Sequence, residues 1–303
     1  MRGYLKLRNA NQRDQRSETK QSSEAHGFEL LETKHLLIIG DALKVLKDEN
    51  LFPKESVNLI ITSPPYGLGK NYGKAFCDHF ELSEWIEMIE EVGREAYRIL
   101  KPNGSFFLNV SPIPHKKTTE ILPLDSYAYF ALKKSGFYLR NKVIWHFHNM
   151  QNCTKRLSGR WEAILWFVKD IENYVFNLDA IRIPYLTNDK RIHGEGRNPT
   201  DVWYFDRVNN MTKKKLGIDH PCVFPEEMIK RIIKMSSYPG DIVLDPFVGS
   251  GTTMRAAKIL NRNSIGIEIN PEYEKLVRKR VEPDRPTLNS KCTFEVIRYE
   301  VNK

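Results

Sequence analysis

Asp241-Ile242-Val243-Leu244-Asp245-Pro246-Phe247-Val248-Gly249-Ser250-Gly251-Thr252-Thr253 is the stretch that decides how this chain folds. A short apolar run ends in an acidic residue, a proline and a glycine-rich turn. An apolar helical face then resumes in Met254-Arg255-Ala256-Ala257-Lys258-Ile259-Leu260. Strand, glycine turn and helix make a cradle that brings a ligand close to bare backbone. The next apolar run, Ser264-Ile265-Gly266-Ile267-Glu268-Ile269, ends near a carboxylate. An acid at that place, after the glycine loop, is where a ribose diol is gripped. The glycines read Phe-x-Gly-x-Gly and not G-x-G-x-x-G, and no Gly-Lys-Ser/Thr follows. Neither a nicotinamide cofactor nor a nucleoside triphosphate loop is therefore expected.

Far upstream stands Val57-Asn58-Leu59-Ile60-Ile61-Thr62-Ser63-Pro64-Pro65-Tyr66. The apolar run reads as a buried strand. Two prolines cannot continue a ladder, since neither has an N–H to donate, so the chain leaves the sheet in a stiff extended turn. Ser63 brings a hydroxyl to that turn, the carbonyls of Ser63 and Pro64 stay available as acceptors, and Tyr66 adds a flat ring. Acceptors beside an aromatic platform suit a planar base with an exocyclic amine. A proline-rich loop with a packed tyrosine is the simpler alternative for the tetrapeptide alone.

From His35 the chain alternates strand-like and helix-like patterns, which predicts an α/β fold with a doubly wound, mostly parallel sheet. Leu82 to about Leu100 reads as a long helix, stopped by Lys101-Pro102-Asn103-Gly104, with a strand over Ser105–Val110. A helix near Leu124–Ser135 and a strand near Tyr138–Phe147 follow. Residues 171–219 break the pattern. Arg182, Lys190, Arg191, His193, Arg197, Arg207 and Lys213-Lys214-Lys215 lie there, interleaved with Trp203, Tyr204 and Phe205. The reading divides the chain into a polar N-terminal arm (1–33), a first half of the main domain (34–170), a basic insertion (171–219) and a second half (220–303).

The two motifs together resemble the DNA amino-methyltransferases of restriction-modification systems, the N4-cytosine/N6-adenine family. The proline motif precedes the glycine loop, an order similar to the permuted β group, and the resemblance covers roughly residues 34–280. It implies the methyltransferase fold and S-adenosylmethionine as cofactor. Ser63, Pro64, Pro65 and Tyr66 match the catalytic motif. Asp245, Pro246, Phe247, Gly249, Ser250, Gly251 and Thr252 match the cofactor loop, and Glu268 and Asn270 join them. Asp41, in Gly40-Asp41-Ala42-Leu43, matches an acid near the cofactor's adenine, although the residue type equally suits a helix N-cap. His220, in His220-Pro221-Cys222-Val223-Phe224-Pro225, matches the segment flanking the methionine end. Arg160–Lys169 resembles the wall of the target-base pocket, with Trp161 where the family often has His.

The resemblance further implies a flipped base stacked on the Tyr66 ring, the ring and not the hydroxyl being the active part. The Ser63 hydroxyl and Pro64 carbonyl would accept the two amine hydrogens, with no covalent intermediate. Pro221-Cys222 does not follow a strand, so ring-carbon methylation is not expected. Both Gly249 and Gly251 are expected to admit the methionine moiety to bare backbone. Ser at the first motif position favours N4 of cytosine over N6 of adenine. Methylation of RNA or of a protein amide, and a silent DNA-binding relative, are the other readings weighed.

The implied partner is double-stranded DNA, with residues 171–219 as target-recognition region. Lys70, Lys74, Arg160, Lys190, Arg191, Arg197, Lys213, Lys214 and Lys215 are the candidate contacts. Gly67–Lys74 reads as a flap over the base. A homodimer and a cognate restriction endonuclease acting on the same site are further partners compatible with the resemblance. The 303 residues carry a formal net charge of +9, which favours a polyanionic partner. Four cysteines are scattered without metal-ligand spacing, so reduced thiols and no metal are expected. No apolar run is long enough to span a bilayer and the first residues lack an apolar signal core, so the expectation is a cytoplasmic protein with no membrane partner.

Overall fold

The computed structural model describes residues 32–67, 81–148, 153–185, 196–282 and 292–300. Most of the polar arm, the segment carrying Lys70 and Lys74, and Lys190, Arg191 and His193 lie outside the described residues. In chain order the elements are β1 (Thr33–Ile39), α1 (Ala42–Leu46), β2 (Val57–Thr62), α2 (Leu82–Ile99) and β3 (Leu100–Val110). A small hairpin of β4 (Ile113–Pro114) and β5 (Ile121–Leu122) leads to α3 (Leu124–Lys134), β6 (Tyr138–His146), β7 (Trp161–Val168), β8 (Val202–Tyr204) and α4 (Asn210–Leu216). Then come α5 (Glu226–Ser236), β9 (Ile242–Asp245), α6 (Thr252–Ile259), β10 (Asn263–Glu268), α7 (Glu274–Val281) and β11 (Cys292–Arg298).

Nine strands form one sheet in the order β11-β1-β10-β9-β2-β3-β7-β6-β8. Every described neighbour pair is parallel except the two made by β7, which runs against β3 and β6. Central strands are buried on both faces, so they read as continuous apolar runs and not as alternations. In β2, Leu59 and Ile61 pack with α5 and α6 residues such as Met228 and Ala256. Ile60 faces the other way, toward Trp85 and Ile89 of α2. α2 buries Trp85, Ile89, Val92, Ala96 and Ile99 at helical spacing, and a Glu81/Glu84 capping box starts it.

Two sequence expectations are modified. Lys101–Gly104 does not separate helix from strand. β3 already begins at Leu100, and the tetrapeptide is accommodated by a register shift opposite β2, between the pairs Val57–Leu100 and Leu59–Ser105. Gly104 permits this, since a Cβ there would lie 2.7 Å from the Asn58 carbonyl oxygen. The basic stretch 171–219 is also tied to the main sheet, because β8 pairs with β6 at the edge.

At β2 and β9 the chain turns opposite ways. After β2 it crosses through α2 to β3 on one side; after β9 it crosses through α6 to β10 on the other. Such a switch point opens a crevice beyond the strands' carboxyl ends. At the opposite end Asn58 ties the same two strands, donating to Asp241 Oδ1 at 2.6 Å and accepting from Ile242 N at 3.1 Å.

His35 of β1 is fully buried, with Nδ1 at 2.7 Å from Ser264 Oγ and Nε2 at 3.3 Å from Thr33 Oγ1. Burial, with a smaller contribution from Lys258, pushes its pKa down to about 3. Between pH 3 and the unfolded value of about 6.5 the native state binds fewer protons than the unfolded chain, so stability is lost as pH falls through this window. The shift corresponds to on the order of 5 kcal/mol across the window. In urea unfolding at stepped pH, His35→Gln is expected to flatten the acid limb of the stability profile. Parallel profiles for both proteins would place the acid sensitivity elsewhere.

Candidate active site

The crevice is a cavity of about 1350 Å³. Ser63–Tyr66 enter it from the end of β2, Asp245–Ser250 from the end of β9, and Glu268 from the end of β10. Gly40 and Asp41 after β1, and His220–Phe224 before α5, complete that side.

Asp245 is the joint between the two motifs. It is buried, and its Oδ1 accepts from Thr62 Oγ1 at 2.8 Å and from Phe247 N at 3.2 Å. Its Oδ2 accepts from Thr253 Oγ1 at 2.7 Å. One carboxylate thus holds the strand before Ser63, the turn after Pro246 and the first turn of α6. Burial raises its pKa to about 6 against the pull of these three donors.

The two loop glycines have different tasks. Gly249, at φ +50°, lines the cavity, and a Cβ there would lie 2.8 Å from His220 Nε2. Its bareness lets the His220 ring sit against the loop, where Tyr273 packs edge-on with centroids 4.7 Å apart. Gly251, at φ +77°, is not among the lining residues; a Cβ there would meet Val277 Cγ1 at 3.2 Å. The expectation that Gly251 opens the cradle is corrected: it lets α7 close onto the loop.

Glu268 Oε2 accepts from Gly249 N at 3.0 Å and Oε1 from Asn270 N at 2.8 Å. Burial pushes its pKa up to about 7, opposed by these two donors. Asn270 does not line the cavity; its Oδ1 caps the next turn by accepting from Glu272 N at 3.0 Å. Asp41 lines the cavity and is also the N-cap of α1, accepting from Leu43 N at 2.9 Å, so both readings of it hold structurally. Ser250 and Thr252 face the cavity but also accept from Arg280, at 2.7 Å to Ser250 O and 3.0 Å to each hydroxyl. Pro246 and Phe247 line the cavity between them.

On the β2 side, Trp85 Nε1 donates to Pro65 O at 2.8 Å and pins the proline turn to α2. Ser63 Oγ lies 2.8 Å from Tyr66 Oη. Tyr66 Oη donates to the main-chain oxygen of Asn109 and accepts from Asn109 Nδ2, both at 3.0 Å. Asn109 Nδ2 also donates to Glu162 Oε2 at 2.7 Å, and Arg207 Nη2 to Glu162 Oε1 at 3.2 Å. Burial, and then the nearby Glu162 carboxylate, hold the Tyr66 phenol well above its ordinary range. Asn109 is the residue sequence reasoning passed over. Its signal was a lone amide in the apolar run Phe106-Phe107-Leu108-Asn109-Val110.

The basic candidates scatter. Lys213 turns inward, lines the cavity and donates to Pro221 O at 2.7 Å, whereas Lys214 and Lys215 on the same helix are exposed. Arg160 is half-buried just before β7, and Arg197 is exposed in a bridge with Ile183. Of the three aromatics expected to reach bases, only Tyr204 is exposed. Trp203 is buried and Phe205 is packed against the same core, because β8 alternates its side chains and turns them inward. Arg231 lies between those two rings, 5.1 and 4.8 Å from their centroids. Among the described residues no His/Cys/Asp/Glu group is arranged to hold a metal ion, and no helix is long and apolar enough to cross a membrane.

The sequence profile of the N6_N4_Mtase family, described as DNA methylase, matches residues 57–279. The type II methyltransferase M.HpaI of Haemophilus parainfluenzae is 36% identical over 82% of this chain and 74% of its own length. The DNA adenine methyltransferase YhdJ of Escherichia coli K12 is 36% identical over 81% of this chain and 82% of its own. Among solved structures, the DNA modification methylase TTHA0409 of Thermus thermophilus, complexed with S-adenosyl-L-methionine, superposes with a TM-score of 0.60 at 26% identity, over 88% of this chain and all of that one (100%). The cytosine-N4-specific PvuII DNA methyltransferase has a TM-score of 0.66 at 23% identity, over 86% and 92% of the two chains, and is a likeness of fold.

Gly251→Ala is expected to cost about 1–3 kcal/mol, through its left-handed backbone and the Val277 contact together. Urea unfolding checks this. Combining it with Val277→Ala is expected to cost less than the two single losses added. Strict additivity would leave the backbone conformation as the sole cause.

Proposed function

The chain belongs to the N6_N4_Mtase family of DNA methylases, and we propose that its cavity takes S-adenosylmethionine and a flipped-out base side by side, for methylation of the base's exocyclic amine. The observation that carries this is the Asp245 joint, which brings Ser63-Pro64-Pro65-Tyr66 and the glycine loop to one cavity. The residues fit the cofactor. Gly249 is a cradle position that a side chain would fill, Glu268 and Asp41 are acceptors for hydroxyl and amine groups, and Phe247 is an apolar surface beside them. When bound, S-adenosylmethionine supplies an electrophilic sulfonium methyl group.

The rest falls to the chain. An exocyclic amine is a poor nucleophile while its lone pair is conjugated with the ring. In this reading the Ser63 hydroxyl and the Pro64 carbonyl accept its two N–H groups and turn the lone pair toward the methyl. Tyr66 offers its ring as the stacking surface. Positioning of this kind needs no covalent enzyme intermediate. The exposed Lys214, Lys215 and Arg197, with Arg160, are proposed contacts to the phosphates of duplex DNA, which position the protein without reading sequence.

N4 of cytosine is the proposed target, on the strength of Ser at position 63. A second reading, N6 of adenine, is supported by the 36% identity to the adenine methyltransferase YhdJ. Either product suits a restriction-modification setting in the cytoplasm, with a nuclease for the same site as functional partner.

Incubation with plasmid and methyl-labelled S-adenosylmethionine, followed by digestion to nucleosides, is expected to put label in N4-methyldeoxycytidine. Label in N6-methyldeoxyadenosine would overturn the base assignment alone; no label in DNA would overturn the activity. Ser63→Ala is expected to slow single-turnover transfer by about 10²–10³ with cofactor affinity unchanged, the size of effect seen when one transition-state hydrogen bond is lost.

Glu268 supplies a pH signature. A carboxylate accepting ribose hydroxyls must be ionised, and burial holds this one at about 7. Cofactor binding then releases a proton below that pH. Affinity should weaken as pH falls from 7, approaching about tenfold per unit. Calorimetry on Glu268→Gln should show weaker binding without this slope. A wild-type affinity flat from pH 5.5 to 8 would exclude the contact.

A further inference from the structure

We propose that Glu162 and Asn109 are positioning residues that fix Ser63 as a hydrogen-bond acceptor toward the target amine, acting through the hydroxyl of Tyr66. This rests on the amino-methyltransferase reading above and adds to it the direction of every proton in the contact.

Three partners surround Tyr66 Oη: Ser63 Oγ at 2.8 Å, the Asn109 main-chain oxygen at 3.0 Å and Asn109 Nδ2 at 3.0 Å. A phenol has one proton to give. The carbonyl oxygen can only accept and the amide nitrogen can only donate. If Tyr66 gave its proton to Ser63, two oxygens without a hydrogen between them would face each other at the Asn109 carbonyl. The consistent arrangement sends the phenol proton to that carbonyl. Oη then receives one hydrogen from Asn109 Nδ2 and one from Ser63. The serine's own hydrogen is thereby directed away from the substrate, and its lone pairs remain for the cavity that Ser63 lines.

The direction depends on which way the Asn109 amide is turned. Glu162 decides this. Its Oε2 lies 2.7 Å from Nδ2, so a reversed amide would set oxygen against carboxylate. Asn109 and Glu162 are 4% and 6% exposed, which leaves no room for water to relax the pairing. Asn109 Oδ1 is itself buried without a partner, so the amide is oriented by its NH₂ side alone. Arg207 takes the second Glu162 oxygen at 3.2 Å and supplies the counter-charge.

This polarity matters for chemistry. The amine nitrogen must attack with its lone pair. A serine donating to that nitrogen would occupy the electrons that form the new N–C bond, whereas a serine accepting from an N–H leaves them free. The Tyr66 hydroxyl therefore has a task beyond carrying the ring, and the expectation that the ring alone acts is revised.

The test is a double-mutant cycle on single-turnover methylation of duplex DNA with labelled S-adenosylmethionine. Tyr66→Phe and Glu162→Gln are each measured alone and with Ser63→Ala. Alone, each is expected to slow transfer by about 10–100-fold, the worth of one charge-assisted hydrogen bond, with cofactor Kd unchanged by calorimetry. In the Ser63→Ala background the same changes should add less than about twofold, because the hydroxyl they orient is gone. Equal losses in both backgrounds would mean a purely structural role, and a Tyr66→Phe enzyme at wild-type rate would remove the hydroxyl from the argument; either overturns the proposal. If Glu162→Gln fails to fold, as judged by cofactor binding, the Tyr66→Phe cycle decides alone, since it removes one oxygen atom. A wild-type protein that transfers no methyl to DNA overturns the underlying reading, and the proposal with it.

Discussion

The hydrogen bond from Thr62 to Asp245, between the ends of two adjacent parallel strands, is the constraint on which the rest of the site depends. A buried carboxylate left unpaired is costly, so Asp245 collects donors from every direction. One comes from β2, one from the turn after Pro246 and one from α6. Each donor fixes a different backbone segment, and all three segments face the same cavity. The proline turn is thus held in place by the residue that opens the glycine loop. Asn58 repeats the device at the other end of the same strand pair, so β2 and β9 are pinned at both ends.

Chain order and spatial order are separate matters here. The strand that delivers the proline motif comes early in the chain and the strand that delivers the glycine loop comes late, yet they are neighbours at the centre of the sheet. What the chemistry needs is adjacency of two carboxyl ends at a switch point. Which strand is synthesised first does not enter. α7 then closes the far side of the loop with Val277 against Gly251 and Arg280 across Ser250 and Thr252. Burial lowers the Arg280 pKa to about 10, so holding a charge in that place has a cost that the loop contacts offset.

What was legible in the sequence was what backbone chemistry imposes locally. Two prolines after an apolar run must leave a sheet, and a glycine-rich turn between strand and helix must expose backbone; both are seen. The parallel sheet followed from runs that do not alternate. What was not legible depends on partners brought from afar. Gly251 looked like a second cradle glycine until Val277, on a helix formed later in the chain, was found against it. Trp203 and Phe205 looked like base readers in a basic stretch, but β8 adds to the sheet edge and its pleat turns them inward. Lys213 differs from Lys214 and Lys215 only by where α4 points it. Asn109 and Glu162 meet across the β3–β7 pairing, whose register no local pattern reveals.

The reversed direction of β7 has a consequence of its own. Its parallel neighbours bring their last residues to the cavity, but β7 brings its first, which is why Glu162 and not Val168 stands at the mouth. β6 ends at that same edge, with Trp145 opposite Glu162 and His146 opposite Trp161. The connection between β6 and β7 is therefore anchored on both sides at the rim where a substrate enters. A lineage could lengthen, shorten or rewrite that connection while the sheet, the Asp245 joint and the serine geometry stay as they are. In evolutionary terms, one antiparallel strand separates the part of the molecule that must stay constant to transfer a methyl group from a part that is free to change what it is transferred to.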